Sequence, residues 1–363
     1  MLHALFCFLR MKGNPMSLPM DQEWSKLTRE EKRKQRQEWL LNPPVTFVNS
    51  EAEKAYKIRA QRFIDAYSAQ EPDRVPVTMS IGGLPAYAYG MDYQSVMYDH
   101  KKAAEVWTKF NEEHSTGLDN FISPATLFQG KVYDLLDYKL YAWPGHGLPE
   151  SARGFQYLEG EYMRADEYDA FINDPSGFLM RVYMPRVFGA FAPFRMLPPI
   201  MGIIEGPAAY FMPYAAPEMQ AVQQTLIDIG KQMAEWMKFT QEFSRRGEAL
   251  GFPMSLFGGF AKAPFDVLAD TLRGTRGMMT DMYRRPEKII EAVDVISHIM
   301  IESAIGMANI TRGLAVIFPL HKGADGWMND KQFDKFYWPS LKKVLNALID
   351  EGIQITLFAE GLY

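Results

Sequence analysis

The clearest hydrophobic pattern in the chain is a pair of apolar runs near its C-terminal end, separated by a stretch of helical periodicity. Residues 314–320 and 353–358 are predominantly apolar, which is typical of parallel strands covered on both faces. Between them, apolar residues recur at helical spacing over 333–348. Asn329 and Gln332 have the spacing of a helix capping box. This stretch therefore predicts a strand, a helix and a second parallel strand.

The preceding part of the chain repeats this alternation less regularly. Further strands are predicted at 75–80, 119–124 and 252–257. Helices are predicted at 24–41, 50–67, 101–114, 218–246 and 286–300. Repeated strand and helix units build a barrel, so we expect an α/β fold. It is predicted to be a TIM (β/α)8-type barrel over 49–363, with an N-terminal helical extension over 1–48.

The number of strands predicts that this barrel is not closed by the chain alone. Five strands are predicted from the sequence, whereas a closed barrel of this type has eight. A parallel strand left at an open edge would expose unpaired backbone groups and apolar surface. The barrel is therefore expected to be incomplete at its C-terminal end, either because it is truncated or because a partner completes the sheet.

Polar residues follow the last two predicted strands, where barrel enzymes carry their catalytic groups. His321, Lys322 and Asp325 come after the fourth strand and Glu360 after the fifth, and we predict these four as catalytic. His321 can act as an acid, a base or a metal ligand, or it can be a hydrogen-bonded structural histidine. Glu360 is the other predicted metal ligand. The alternative for Lys322 and Asp325 is a structural salt bridge or a helix-entry contact.

Two segments are candidates for contact with a ligand. The glycine-rich loop after the first predicted strand is flexible enough to lie close to a substrate, which makes Ser80, Gly82 and Gly83 predicted binding residues. Residues 186–217 contain many Phe, Met, Pro and Tyr residues and little charge. That segment predicts a pocket lining, a lid or a subunit interface of a homodimer, or else ordinary core packing. Tyr210 and Tyr214 are its predicted binding residues.

Composition narrows the classes of partner. A net charge of -5 with 23% charged residues gives no excess of basic residues for a nucleic-acid surface, so a small-molecule substrate is expected. The single cysteine, Cys7, rules out an internal disulfide framework and an all-cysteine metal site, which fits a reducing, cytoplasmic setting. No apolar stretch reaches the length that a membrane helix needs.

The order of motifs along residues 60–363 resembles the uroporphyrinogen decarboxylase superfamily. That superfamily includes the haem-pathway decarboxylase and corrinoid-linked methyltransferases, which are built on a (β/α)8 barrel. No one motif is specific alone, and their order carries the resemblance. The motifs are Pro76-Val77, Gly258-Gly259, Pro264-Phe265, Leu272-Arg273-Gly274, Met278-Met279 before Pro286-Glu287-Lys288, and 333–341 before Gly352.

Departures from the family pattern bear on the reaction. The decarboxylase has two arginines after its first strand that hold substrate carboxylates. In this chain the aligned residues 80–84 are Ser-Ile-Gly-Gly-Leu, and none of them is an arginine. Arginine's planar fork suits carboxylates, and Ser or Leu cannot replace it. The family's catalytic aspartate after the second strand aligns near Pro124 or Ala125, so it is absent as well. The resemblance therefore does not imply haem-pathway decarboxylation.

The methyltransferase branch is matched only in part. Its members carry a Leu-His-x-Cys-Gly motif after the last aligned strand, whose His and Cys bind zinc and activate a thiol. Here 357–361 reads Leu-Phe-Ala-Glu-Gly, and Phe358 cannot bind zinc, whereas Glu360 can supply an oxygen ligand. A different divalent metal set using His321 and Glu360 stays open, as does chemistry at Glu360 by proton transfer or electrostatics.

The resemblance implies an enzyme nearer the methyltransferase-like members, acting on a methylated small molecule together with a corrinoid protein. Two alternatives stay open. The first is a decarboxylase of uroporphyrinogen or a related tetrapyrrole, and the second is a barrel that binds a tetrapyrrole without catalysis.

Overall fold

The computed structural model describes residues 23–79, 81–124 and 129–363. Helices dominate the N-terminal part of this structure. They are a 3-10 turn (Trp24–Lys26), α1 (Arg29–Leu41), α2 (Ser50–Tyr67), α3 (Leu84–Ala88), α4 (Tyr93–Tyr98), α5 (His100–His114) and α6 (Gly130–Leu136). The predicted helices over 24–41, 50–67 and 101–114 are confirmed. Thr28 and Glu31 form the capping box that begins α1, and the Asn49 side chain caps α2.

The middle of the chain contains a small sheet and a series of short helices. The sheet consists of β1 (Tyr141–Pro144), β2 (Gly147–Leu148) and β3 (Gln156–Tyr157), in the order β2-β1-β3. The α-helices are α7 (Tyr168–Asn173), α8 (Pro175–Phe178), α9 (Met184–Val187), α10 (Pro207–Tyr210) and the long α11 (Pro217–Ala249). A π-helical turn (Leu179–Tyr183) and 3-10 turns (Gly189–Met196, Ile200–Ile203, Met212–Ala215 and Met254–Leu256) complete this part.

The C-terminal part is a three-stranded parallel sheet with helices between its strands. The strands are β4 (Phe257–Phe260), β5 (Ala315–Leu320) and β6 (Gln354–Ala359), in the order β4-β5-β6. The connecting helices are α12 (Pro264–Asp266) with its π-helical continuation (Val267–Arg273), α13 (Gly274–Arg284), α14 (Pro286–Thr311), and α15 (Asp330–Gln332) with a π-helical turn (Phe333–Tyr337) that leads into α16 (Trp338–Asp350). The predicted strand, helix and strand at the C-terminal end are therefore observed, and Asn329 and Gln332 form the predicted capping box.

The predicted strand at 252–257 is wrong in position, because the strand begins at Phe257. Pro253 lacks the backbone N–H that a central strand needs, and residues 254–256 form a 3-10 turn instead. Strand β4 includes Gly258, which packs directly against the backbone of Ala308 and Gly313. A Cβ atom there would come within 2.9 Å of the Cα atoms of Ala308 and Gly313. Only glycine allows β4 to approach the end of α14 this closely.

The predicted strands at 75–80 and 119–124 are not formed in the described residues. The two segments do lie side by side, but side chains supply part of the pairing. Asp119 N donates to Val77 O at 2.8 Å, and the Asp119 carboxylate accepts from Val77 N at 2.8 Å. The Asn120 amide likewise bonds both backbone groups of Met79. Because these side chains occupy the bonding groups, no regular ladder develops.

The largest hydrophobic core lies between the helices and one face of the C-terminal sheet. It joins Val316 and Phe318 of β5 to Ile289 of α14 and Val344 of α16, all fully buried. The strands of the described residues form two separate three-stranded sheets, and no closed eight-stranded barrel is present among them. No helix in these parts of the chain has both the length and the apolar character of a membrane span.

Candidate active site

Polar side chains from the ends of all three parallel strands lie close together. Lys262 follows β4, His321 and Lys322 follow β5, and Glu360 follows β6. Because the carboxyl ends of parallel strands meet at one edge of a sheet, these residues are brought to the same place. Asp270, on the π-helical segment after β4, completes the group. We define these five residues as the strand-end cluster.

His321 is held by a carboxylate on each side. Its Nδ1 lies 2.8 Å from Asp270 Oδ2, and its Nε2 lies 3.6 Å from Glu360 Oε2. An ionised carboxylate can only accept a hydrogen bond, so Nδ1 carries the hydrogen that Asp270 accepts. This fixes the tautomer and leaves Nε2 as the nitrogen that can exchange a proton with a substrate. The His321 side chain is 28% exposed, so that nitrogen is not sealed in the core.

The pKa values of His321 and Asp270 move apart. The hydrogen bond with Asp270 raises the pKa of His321 above its ordinary value, against the opposing effects of burial and of the Lys262 charge. Burial alone would raise the pKa of Asp270. The His321 hydrogen bond and the Lys262 charge outweigh burial, and the pKa of Asp270 lies below its ordinary value. A histidine whose pKa is raised by a neighbouring carboxylate is suited to act as a general acid.

Two lysines share the Asp270 carboxylate with His321. Lys262 Nζ donates to Asp270 Oδ2, and Lys322 Nζ lies 3.8 Å from Asp270 Oδ1. Lys322 also donates to Thr275 Oγ1 at 2.8 Å, and its ammonium group lies 5.6 Å from the centre of the Trp327 ring. Two cationic groups beside the histidine provide an electrostatic surface for an anionic substrate group or for negative charge that develops during a reaction.

A buried carboxylate positions the loop that carries His321 and Lys322. The fully buried Asp266 accepts hydrogen bonds from His321 N at 3.0 Å and from Lys322 N at 2.8 Å. The Tyr337 hydroxyl donates a third at 2.8 Å. Burial raises the pKa of Asp266 despite these three bonds. Asp266 faces the backbone rather than the opening, so it is a positioning residue.

The structure brings His321, Lys322 and Glu360 together but leaves Asp325 apart. The Asp325 side chain is exposed, and its backbone N–H donates to Leu362 O at 2.8 Å. This contact is made by the backbone of Asp325, and it is neither the salt bridge nor the helix-entry contact that the sequence offered as the alternative. A role for its carboxylate in the reaction has no support from the strand-end cluster.

The predicted substrate-binding residues do not join the strand-end cluster either. Ser80 lies outside the described residues. Gly82 is exposed, with a φ of +53°, and Gly83 precedes α3. Tyr210 and Tyr214 pack with Phe211 and belong to the aromatic and methionine-rich segment around 188–222. Their substrate-binding role stays a prediction. Core packing accounts for the buried Phe191 and Phe194 but not for Met201 and Met212, which are exposed.

The residues at the strand ends do not fit the family's thiol-activating zinc. Structural and catalytic zinc sites use at least three protein ligands. Within residues 23–79, 81–124 and 129–363, no group of three or more His, Cys, Asp or Glu side chains is arranged to hold a metal ion. Phe358 stands where the motif has its histidine, and it is exposed. His321 and Glu360 are adjacent, but as a pair they fall short of a metal site.

Sequence reasoning missed Lys262, Asp266, Asp270 and Tyr337. One signal could have found Lys262, because it is the first charged residue after β4. The same strand-end rule that gave His321 and Glu360 would have included it if the strand had been placed at 257–260. Asp266 and Asp270 lie four residues apart on the helical segment after β4, so both point to the same side. A search limited to the residues that directly follow each strand does not reach this helical segment.

The parallel sheet with helical connections and polar strand ends defines the C-terminal part of the chain as an α/β domain of the kind that carries enzyme sites. Residues 248–363 match the family model described as uroporphyrinogen decarboxylase (URO-D). The C-terminal part of the chain is therefore a URO-D superfamily domain, and over this part the match confirms the resemblance inferred from the motifs. No match to this chain was found among curated proteins or among solved structures.

Proposed function

We propose that this chain is a superfamily enzyme in which His321 protonates a group that leaves its substrate with a negative charge. The observation that carries the proposal is the 2.8 Å contact between His321 Nδ1 and Asp270. This contact raises the pKa of the imidazole and orients the ring, with Nε2 toward Glu360. Lys262 and Lys322 stabilise the negative charge as it develops. Asp266 holds the loop in place.

Methyl transfer from a methylated small molecule is the leading form of this reaction. When the bond between the methyl carbon and its heteroatom breaks, the electron pair stays on the heteroatom, and the proton from His321 neutralises it. A corrinoid on a separate protein is the methyl acceptor that the resemblance implies. The absence of arginine from 80–84 supports methyl transfer over the haem-pathway decarboxylation.

Decarboxylation of a tetrapyrrole or related acid is the second candidate. Loss of carbon dioxide leaves a carbanion, which also needs a proton, so His321 would act in the same way. Lys262 and Lys322 favour this candidate because both can attract a substrate carboxylate. The third hypothesis is that the chain binds a tetrapyrrole without catalysis. It is supported only if the ligand binds and is not turned over.

The test is a comparison of products. The full chain is incubated with cob(I)alamin and a panel of methylated amines, ethers and thiols, and separately with uroporphyrinogen. We expect methylcobalamin from at least one methyl donor, and a rate about 10²-fold to 10⁴-fold lower for His321→Gln, as for loss of a general acid. Glu360→Gln measures the contribution of the second carboxylate.

The outcomes separate the candidates. Turnover of uroporphyrinogen without methyl transfer would replace the leading form by decarboxylation. Turnover of either kind that survives His321→Gln at the rate of the unmodified chain would contradict the role of His321. Saturable tetrapyrrole binding without any product would support the non-catalytic reading.

We also propose that β4, β5 and β6 are part of a (β/α) barrel sheet, as superfamily membership implies. Their parallel order follows the chain order, as barrel strands do. Hydrogen exchange of the β6 amides tests this proposal. Protection of the amides on both edges of β6 is expected if a further strand pairs with it, and rapid exchange of the amides that do not bond to β5 would contradict it.

A further inference from the structure

A cleft of about 850 Å³ lies beside the strand-end cluster, between the segment 159–165 and helix α13. Its lining includes four arginines, which are Arg273, Arg276, Arg284 and Arg285. Thr275, which accepts the hydrogen bond from Lys322, lines the same cleft. The cleft and the strand-end cluster are thus neighbours that share a wall, but none of the five cluster residues lines the cleft.

Two of the four arginines are neutralised within the protein. Arg273 is buried and donates to Asp281 Oδ2 at 2.8 Å, and it also bonds the Glu161 carboxylate and the Met163 carbonyl. Arg285 donates to Asp281 Oδ1 at 2.9 Å. The charges of these two arginines are balanced, because each has a carboxylate partner. The ion pairs fix the shape of the cleft but do not attract an anionic ligand.

The other two arginines are available to a ligand. Arg276 and Arg284 are exposed, and neither forms an ion pair with a carboxylate in the part of the chain that the structure describes. With Thr280 between them, they recur at intervals of four residues and lie on one face of α13. Glu159 lies on the opposite wall, where its carboxylate accepts from Thr275 N.

The spacing of these arginines indicates the shape of the ligand. Eight residues of α-helix separate their Cα atoms by about 12 Å along the axis, so the two guanidinium groups can each hold a separate anionic group. Each guanidinium fork can bind a carboxylate or phosphate through two hydrogen bonds. Met279, which is 51% exposed, also lines the cleft between them. Its side chain offers an apolar surface to the middle of a ligand.

We propose that this cleft binds a ligand with two separated anionic groups, each a carboxylate or a phosphate, one at Arg276 and the other at Arg284. The apolar stem that joins the two groups lies against Met279. The site does not depend on the reaction proposed above, because its contacts come from α13 and the segment 159–165.

Calorimetric titration with three probes that share a stem of six methylene groups tests the proposal. The probes are the dianions octanedioate and hexane-1,6-diol bis(methyl phosphate), and the monoanion octanoate. We expect one of the two dianions to bind with one-to-one stoichiometry and octanoate to bind about tenfold more weakly or worse, since it can engage one arginine. The dianion that binds more tightly identifies the anionic group.

Matched variants locate the site. Arg276→Gln and Arg284→Gln should each weaken dianion binding about tenfold or more, and the double variant should abolish the advantage of the dianion over octanoate. Arg245→Gln removes the same charge from an exposed position on α11 and should leave binding unchanged. All substituted positions are exposed, so the thermal unfolding curves of the variants should match that of the unmodified chain.

The proposal is overturned if neither dianion binds saturably, or if octanoate binds as tightly as the dianions. It is also overturned if the double variant binds like Arg245→Gln. Methyl transfer or decarboxylation by the chain has no bearing on these outcomes, so this test and the test of the proposed function fail independently.

Discussion

Asp270 is the residue on which the charges of the strand-end cluster depend. Its carboxylate bonds the His321 imidazole and the Lys262 ammonium group and lies near that of Lys322. Without this carboxylate, the charge of the nearby ammonium groups would be opposed by Glu360, whose carboxylate lies farther from the imidazole, at 3.6 Å, and is more exposed. Like charges disfavour the protonated form of histidine. Asp270 is therefore the largest cause of the raised pKa of His321.

This dependence predicts the behaviour of His321 in a pH titration. In the unmodified chain its NMR resonances should titrate with a pKa above the ordinary value of histidine. Asp270→Asn should lower that pKa, because the hydrogen bond to a charged acceptor is lost and Lys262 then opposes protonation. Asp330→Asn removes an exposed carboxylate from the first turn of α15 and serves as the control. An equal pKa of His321 in all three proteins would contradict the coupling.

Part of the site could be predicted at this scale, and part could not. His321, Lys322 and Glu360 follow apolar strands directly, so their position along the chain indicated where they would lie. Asp270 is 51 residues from His321 along the chain, and its contact depends on how a π-helical segment packs against the loop after β5. Neither apolar periodicity nor motif spacing contains that information.

At the scale of single elements, strand β4 exists because its glycines permit close packing. The sequence Phe-Gly-Gly-Phe has weak intrinsic preference for a strand. For this reason the apolar pattern places the strand too far toward the N-terminus, over 252–257. The contact of Gly258 with the end of α14 decides the outcome, since it places β4 beside β5 and carries Lys262 to the cluster. Such a contact joins distant parts of the chain and is not visible in the local sequence.

Gly258→Ala tests this contact. A Cβ atom would lie 2.9 Å from two Cα atoms that belong to a helix end and to the turn before β5, and backbone cannot move aside easily. We expect the free energy of unfolding to fall by about 1–3 kcal/mol. Gly326→Ala is the control, because nothing lies within 4 Å of its Cβ position. Denaturant titration measures both, and equal stability of the two variants would contradict the packing argument.

At the scale of the whole molecule, helix α1 closes onto the C-terminal domain through a buried arginine. Arg36 donates to Glu351 O at 3.0 Å and to Gly313 O at 3.3 Å, and it bonds the Asn309 side chain as well. Burial lowers the pKa of its guanidinium to about 10, although the Glu351 charge opposes this shift. The sequence predicted α1 as an exposed N-terminal extension. It could not predict that one of its basic residues would be buried against residues 309–351.

Arg36→Ala is expected to destabilise the protein by about 2–4 kcal/mol, because the carbonyl groups that it bonds would be left buried without donors. Lys34→Ala removes an exposed cation from the same helix and should change stability by less than about 0.5 kcal/mol. Thermal or denaturant unfolding compares the two. If Arg36→Ala were as stable as Lys34→Ala, the docking of α1 would not contribute to the fold.

The central claim for the molecule is that His321 delivers a proton under the control of Asp270. The most direct measurement is the pH dependence of kcat/KM on the substrate identified by the product screen, for the unmodified chain and for Asp270→Asn. Since protonated His321 is the acid, the rate should fall as the pH rises through its pKa. Because Asp270 raises that pKa, the fall should shift to lower pH in Asp270→Asn. If kcat/KM falls at the same pH in both proteins, the control of His321 by Asp270 is contradicted.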